Sequence, residues 1–341
     1  MIHTKFMLCC LLSVLLLSCS EDDDIVRHSE KNAIFVYMAA DNDLDYFAIQ
    51  NINQMERCFS ENQISNGVYV YVDRVKNRKT SHPCLYKVKA DNTDLIVSEI
   101  IKTYPEQNSS SADVFVSALK DAIAFSRKAN EQIKGIVLWS HGSAWLPKSE
   151  ILNSKRASTS STRSFGIDIT TEEPQEPYEM DIRELAERLR PFHYDFLVFD
   201  ACFMSSIEVL YEMRNSFDYI ISSPTEVLAT GFPYKEILPE LLSNSPNYSE
   251  IVEKYIAQYN EKKGVLKSAS MTVVKTSVLK SFSESLKELI NHDVTVPDIS
   301  TILQYDQEAT SWLFDIGGFV SLFKNSERKE LVIKLLSLIH I

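Results

Sequence analysis

Gly135-Ile136-Val137-Leu138-Trp139-Ser140-His141-Gly142 and Phe196-Leu197-Val198-Phe199-Asp200-Ala201-Cys202 are the two stretches whose reading decides the fold. Each is a short unbroken apolar run that stops at polar residues. A half-exposed strand would alternate, and an amphipathic helix would space its apolar residues at three and four, so these runs read as strands covered on both faces. Ala33-Ile34-Phe35-Val36-Tyr37-Met38-Ala39-Ala40 and Tyr219-Ile220-Ile221-Ser222 have the same character, and residues 68–75 add a strand rich in β-branched and aromatic residues.

Helical patterns separate the runs. Residues 44–59 follow Asp41-Asn42-Asp43, which can cap them; residues 111–130 carry Val114, Leu119, Ile123 and Phe125 on one face; residues 182–189 and 204–213 follow suit. Residues 85–88 and 95–101 read as a hairpin or edge pair. Strand and helix in alternation imply an α/β fold, a mostly parallel sheet flanked by helices. Beyond Gly231-Phe232-Pro233, helices near 248–259 and 278–290 around a strand at 269–274 form a C-terminal helical and strand appendage. The apolar helical pattern of 331–341 stops without a cap or polar tail, as it would in a truncated chain.

The first residues belong to another class of signal. Lys5 precedes an apolar stretch from Phe6 to Ser18, shorter than the ~20 residues of a membrane-spanning helix. Its end, Leu16-Leu17-Ser18-Cys19, resembles the bacterial lipobox, which implies residues 1–18 as signal peptide and lipid on Cys19. A plain secretory signal is the alternative. Residues 19–30 then read as an acidic tether, similar to the post-Cys signal of Bacteroidetes surface lipoproteins. The expected location is the cell envelope, lipid-anchored to the outer membrane and exposed at the surface. With Cys9, Cys10 and Cys19 assigned to the signal and anchor, Cys58, Cys84 and Cys202 remain, an odd number that leaves at least one thiol unpaired within the chain. The formal charge of −12, from 35 basic and 47 acidic residues, argues against a general nucleic-acid surface and favours cationic partners.

In parallel α/β sheets, ligands bind beyond the carboxyl ends of strands. Here two such ends present His141 and Cys202. A histidine there is often structural and a cysteine often core filler; together they suit a thiolate nucleophile with a neighbouring acid–base. Gly142, one of eight glycines in the chain, lets backbone approach a substrate, and its N–H could join that of Cys202 in holding an oxyanion. Asp200 reads either as a cap for the following helix or as an acid beside the thiol.

Tyr37-Met38-Ala39-Ala40-Asp41-Asn42-Asp43-Leu44, Leu138-Trp139-Ser140-His141-Gly142 and Phe199-Asp200-Ala201-Cys202-Phe203-Met204-Ser205-Ser206-Ile207-Glu208 resemble three successive blocks of the clostripain (C11) peptidases. The resemblance implies a caspase–hemoglobinase-like sheet over residues 31–245, with 246–341 as its C-terminal part or a packed subdomain. It implies a cysteine endopeptidase acting through an acyl-enzyme, with His141 as acid–base, Cys202 as nucleophile and Asp200 as the S1 acid that selects Arg or Lys. Glu226 is a weaker second acid. It further implies self-cleavage in the long loop 146–164, first at Lys155-Arg156, a Ser/Thr-rich segment expected to be mobile. Some relatives depend on calcium; Asp41, Asp43, Asp45 and Asp168 offer oxygens, but no EF-hand spacing or zinc motif is present, so the sequence requires no cofactor and leaves calcium open. Two readings compete with hydrolysis: an inactive binding homologue of the same fold, and a cysteine-dependent transpeptidase, which passes through the same acyl-enzyme.

Overall fold

The computed structural model describes residues 30–75, 82–145, 165–169, 178–292, 298–305, 312–324 and 326–339. Strand β1 (Lys31–Ala40) is buried from its second residue to its last, as an unbroken apolar run requires. Its side chains alternate between two cores. Phe35, Tyr37 and Ala39 face one, and Ile34, Val36, Met38 and Ala40 the other.

Around it stand β2 (Gly67–Arg74), β3 (Cys84–Lys87), β4 (Glu99–Thr103), β5 (Glu131–Trp139), β8 (Tyr194–Asp200), β9 (Phe217–Ser222) and β10 (Thr272–Lys275). The eight form one sheet in the order β10-β9-β8-β5-β1-β2-β3-β4. The central strands from β9 to β2 run parallel, and β10, β3 and β4 close the edges antiparallel. A separate antiparallel pair, β6 (Phe165–Asp168) and β7 (Tyr178–Met180), leans on β1.

One face is covered by α2 (Ala112–Lys128), α3 (Ile182–Leu189), α4 (Ile207–Met213) and the C-terminal helices α7 (Leu279–His292), α8 (Ile316–Ser321) and α9 (Ser326–Ile339). The other is covered by α1 (Asp45–Asn62), α5 (Tyr234–Leu241) and α6 (Tyr248–Asn260). The expected caspase-like α/β architecture is present, and the C-terminal region supplies both an edge strand and core residues such as Val320 and Val332.

Three local expectations need correction. Helix α1 begins at Asp45, and its entry is held by Asn42, whose Oδ1 accepts the Leu44 N–H, while Asp41 turns inward and Asp43 turns to another element. The helix expected from Met204 starts at Ile207, with Ser206 as its cap, because residues 201–206 turn at the end of β8 instead. Helix α5 escaped the sequence reading because Pro239 lies inside it, which a helix interior ordinarily excludes.

Candidate active site

Strands β5 and β8 lie side by side in register, with Trp139 opposite Asp200. The Ser140 N–H extends this pairing to the Asp200 carbonyl at 3.3 Å. Both chains then leave the sheet at the same edge, so His141 and Cys202, one and two residues past the pair, are delivered together. Gly142 fixes how closely. A Cβ there would stand 2.7 Å from the Cys202 carbonyl and 2.9 Å from the Ala201 Cβ, so any larger residue would push the two loops apart.

The thiol is half-buried. Val227 donates its N–H to Sγ at 3.2 Å, and Sγ lies 3.6 Å from the Val227 carbonyl. Burial pushes the thiol above its ordinary range; the Val227 N–H opposes this, and the charges of Glu226 and Asp200 add to it. Phe203, directly after the cysteine, has φ of 62°, a left-handed conformation that costs free energy for a side chain of this size. Its N–H is held by the Thr225 carbonyl at 3.0 Å.

His141 is held by a partner that the sequence reading had not assigned to it. Nε2 lies 2.7 Å from Asp43 Oδ1, on the turn after β1. Among the described residues no hydrogen bond joins the ring to the thiol. Because β1 is the neighbour of β5, the residues after Ala40 and after Trp139 emerge side by side. The signal was present in the sequence as a carboxylate shortly after the first buried strand, and sheet order was needed to read it. The loop is tied further by β6, whose Gly166 N–H donates to the His141 carbonyl at 2.9 Å.

Asp200 is not a helix cap. Its side chain is only 4% exposed and turns under the cysteine, where Oδ2 accepts the Phe232 N–H at 3.0 Å and the Tyr234 hydroxyl at 2.8 Å. Burial pushes this carboxyl up to about 6, with both hydrogen bonds pulling it down. Gly231, at φ 65°, wraps the acid closely: a Cβ there would fall 2.6 Å from Oδ2 and 2.9 Å from Asn51 Oδ1. Asn51 in turn accepts the Trp139 indole N–H at 2.8 Å. Glu226 is exposed, on the same loop as Val227.

The four carboxylates considered for calcium do not share one place. Asp45 pairs with Arg74 at 2.8 and 2.9 Å, and Asp43 holds His141. Asp41 and Asp168 are buried beside Asp73. Among the described residues, no group of three or more His, Cys, Asp or Glu side chains is placed to hold a metal ion. Cys58, Cys84 and Cys202 are all free thiols. Cys19, Lys155 and Arg156 lie outside the described residues.

A sheet of this order, with a thiol and an imidazole on adjacent strand ends, defines a cysteine peptidase of caspase-like fold. The chain belongs to the clostripain family, whose model matches residues 36–331. A secreted C11 cysteine protease from Bacteroides thetaiotaomicron, solved with an irreversible peptide inhibitor, is 30% identical, with 91% of this chain and 83% of that one covered and a TM-score of 0.72. An inactive zymogen C11 protease from Parabacteroides distasonis is 25% identical over 91% of this chain and 82% of its own, with a TM-score of 0.71. A structure of a secreted C11 cysteine protease from B. thetaiotaomicron described as iotapain shares the fold at 23% identity and a TM-score of 0.76, over 91% and 85% of the two chains. No curated protein matches the sequence.

Proposed function

We propose that this peptidase cleaves after Arg or Lys, with Cys202 as nucleophile, His141 as acid–base and Asp43 as the group that orients His141. The observation that carries the reading is the delivery of His141 and Cys202 to one sheet edge, with the buried carboxylate of Asp200 close enough to act on the thiol. With Asp43 accepting from Nε2–H, the basic nitrogen of the ring is Nδ1. It takes the thiol proton as Sγ attacks the scissile carbonyl carbon, then passes it to the departing amine nitrogen as the C–N bond breaks. Water adds to the thioester with Nδ1 taking its proton, and the thiol is restored as the acid product leaves. The backbone N–H groups of Gly142 and Cys202 are the donors for the oxyanion.

The resting thiol is held protonated by burial and by two acids nearby. A guanidinium or ammonium entering beside Asp200 and Glu226 would cancel their effect, so the preferred substrate also activates the nucleophile. Both hydrogen bonds to Asp200 fall on Oδ2, which leaves Oδ1 to meet the cation. Self-cleavage at Lys155-Arg156 belongs to the same reading, as does a lipid anchor at Cys19 that would hold the enzyme at the cell envelope. One relative is described as secreted and another as an inactive zymogen.

Residues 20–341 and the Cys202→Ala variant, assayed on fluorogenic peptides ending in Arg, Lys, Asp or Leu, test the reading. Turnover after Arg and Lys alone, absent in the variant, is expected, with mass spectrometry showing a nick between residues 148 and 163. Cleavage after Asp or Leu would remove Asp200 as the specificity residue; an uncut, active chain would remove self-activation.

A further inference from the structure

Beside the nucleophile the molecule carries an open cleft of about 590 Å³ that the proposed chemistry does not use. That size lies within the range of ligand sites, roughly 300–1,000 Å³. Its wall includes Phe203, the residue after Cys202, and Pro224, on the loop that reaches the thiol at Val227. Trp145, four residues past His141, forms part of its rim. Ile299 and Trp312, from the C-terminal region, form the far side, and Thr272 opens β10 at its edge. Trp145, Ile299 and Trp312 remain 37%, 44% and 45% exposed, an unusual concentration of large apolar surface at the edge of a catalytic loop.

From this juxtaposition we infer that the cleft is the subsite for apolar side chains of the peptide on the acyl side of the cut, the second to fourth residues before the scissile bond. Strand order sets the side. The acid–base must stand beside the leaving amine, so the departing half of the substrate lies over β5, the strand that carries His141. The acyl half therefore crosses Cys202 toward β9 and β10, where Pro224 and Thr272 lie. Pro224 and Val227 belong to one loop, so the same loop that touches the thiol also lines the cleft. Chemistry sets the class. The charged residues on the wall are Glu208 and Asp315, with no lysine, arginine or histidine among the described lining, so acidic side chains are disfavoured and aliphatic or aromatic ones fit. Asp315 is already engaged by the Tyr305 hydroxyl at 3.1 Å, and burial pushes the Glu208 carboxyl upward.

This inference rests on Cys202 as nucleophile, and the experiment separates the two. Peptides with a fixed basic residue before the cut and Leu, Phe, Asp or Glu at each of the next three upstream positions are compared with a minimal substrate, an acylated Lys or Arg amide. An apolar residue at one or more of those positions should raise kcat/KM by about tenfold or more over an acidic one. Trp312→Ala and Ile299→Ser, both on exposed side chains, should remove most of that preference and leave the minimal substrate unchanged. Unchanged selectivity in both variants, a preference confined to downstream positions, or equal loss on the minimal substrate would each overturn the assignment. Binding of the uncleaved Leu and Phe peptides to the Cys202→Ala protein, followed by calorimetry, gives a readout free of turnover. Affinity that falls about tenfold with Trp312→Ala upholds the cleft even where catalysis fails, and affinity indifferent to Trp312 sinks it.

Discussion

In the mechanism proposed here, the exposed carboxylate of Asp43, 2.7 Å from Nε2, fixes the tautomer of the His141 ring and leaves Nδ1 as its base. Orientation of this kind matters to rate more than to stability, because Asp43 is 82% exposed and holds no core together. Asp43→Asn should therefore lower kcat by at least about tenfold, with KM and the melting temperature little changed. Steady-state kinetics beside a thermal scan checks this; a fall in melting temperature with kcat intact would make Asp43 structural. The places of His141, Gly142, Cys202 and Asp200 at the sheet edge were legible because each sits at the end of a recognisable apolar run. Asp43 was not, since in the sequence it reads equally well as the cap of α1.

At the scale of elements, the segment from β9 into α5 decides what kind of acid Asp200 is. Gly231, the Phe232 N–H and the Tyr234 hydroxyl close over it, and burial holds it at about 6. In the proposed role as S1 acid, Asp200 binds a cation only when ionised, so kcat/KM on Arg or Lys substrates should fall as pH drops through about 6. Tyr234→Phe removes a donor that favours the ionised form. The acid limb of the pH profile should move upward by about one pH unit, the worth of a hydrogen bond to a charged group. An unmoved limb would mean that another group titrates there. Pro239 hid this helix from the sequence reading, and with it the hydroxyl that tunes the acid.

On the scale of the molecule, three chain segments bring carboxylates into one buried place: Asp41 after β1, Asp73 in β2 and Asp168 in β6. Burial pushes Asp73 up to about 8, and the charges of Asp168 and Asp41 add to the shift. An aspartate in the unfolded chain titrates near ~3.9. Between the two values the folded state holds a proton that the unfolded state releases, so this group's contribution to stability is full below about 4 and lost as pH rises through about 8. Asp200 has the same sign between about 4 and about 6. Asp73→Asn should flatten the decline of the denaturation midpoint from pH 5 to pH 8, measured in urea at fixed ionic strength. Parallel declines in both proteins would place the proton elsewhere.

By itself the sequence determined the buried strands, the helices with clean periodicity, and the placing of a histidine and a cysteine just past two strand ends. It could do so because burial on both faces writes an unbroken apolar run, and such a run ends where the sheet ends. Only the tertiary structure decided which strand ends are neighbours. The order β9-β8-β5-β1 sets His141 beside Asp43 and turns Asp200 beneath Cys202 toward Tyr234. It also opens an apolar cleft between the loop after β9, at Pro224, and residues about 90 positions further on, at Trp312. Those pairings depend on how helices and strands pack across long separations, which no local pattern of residues records.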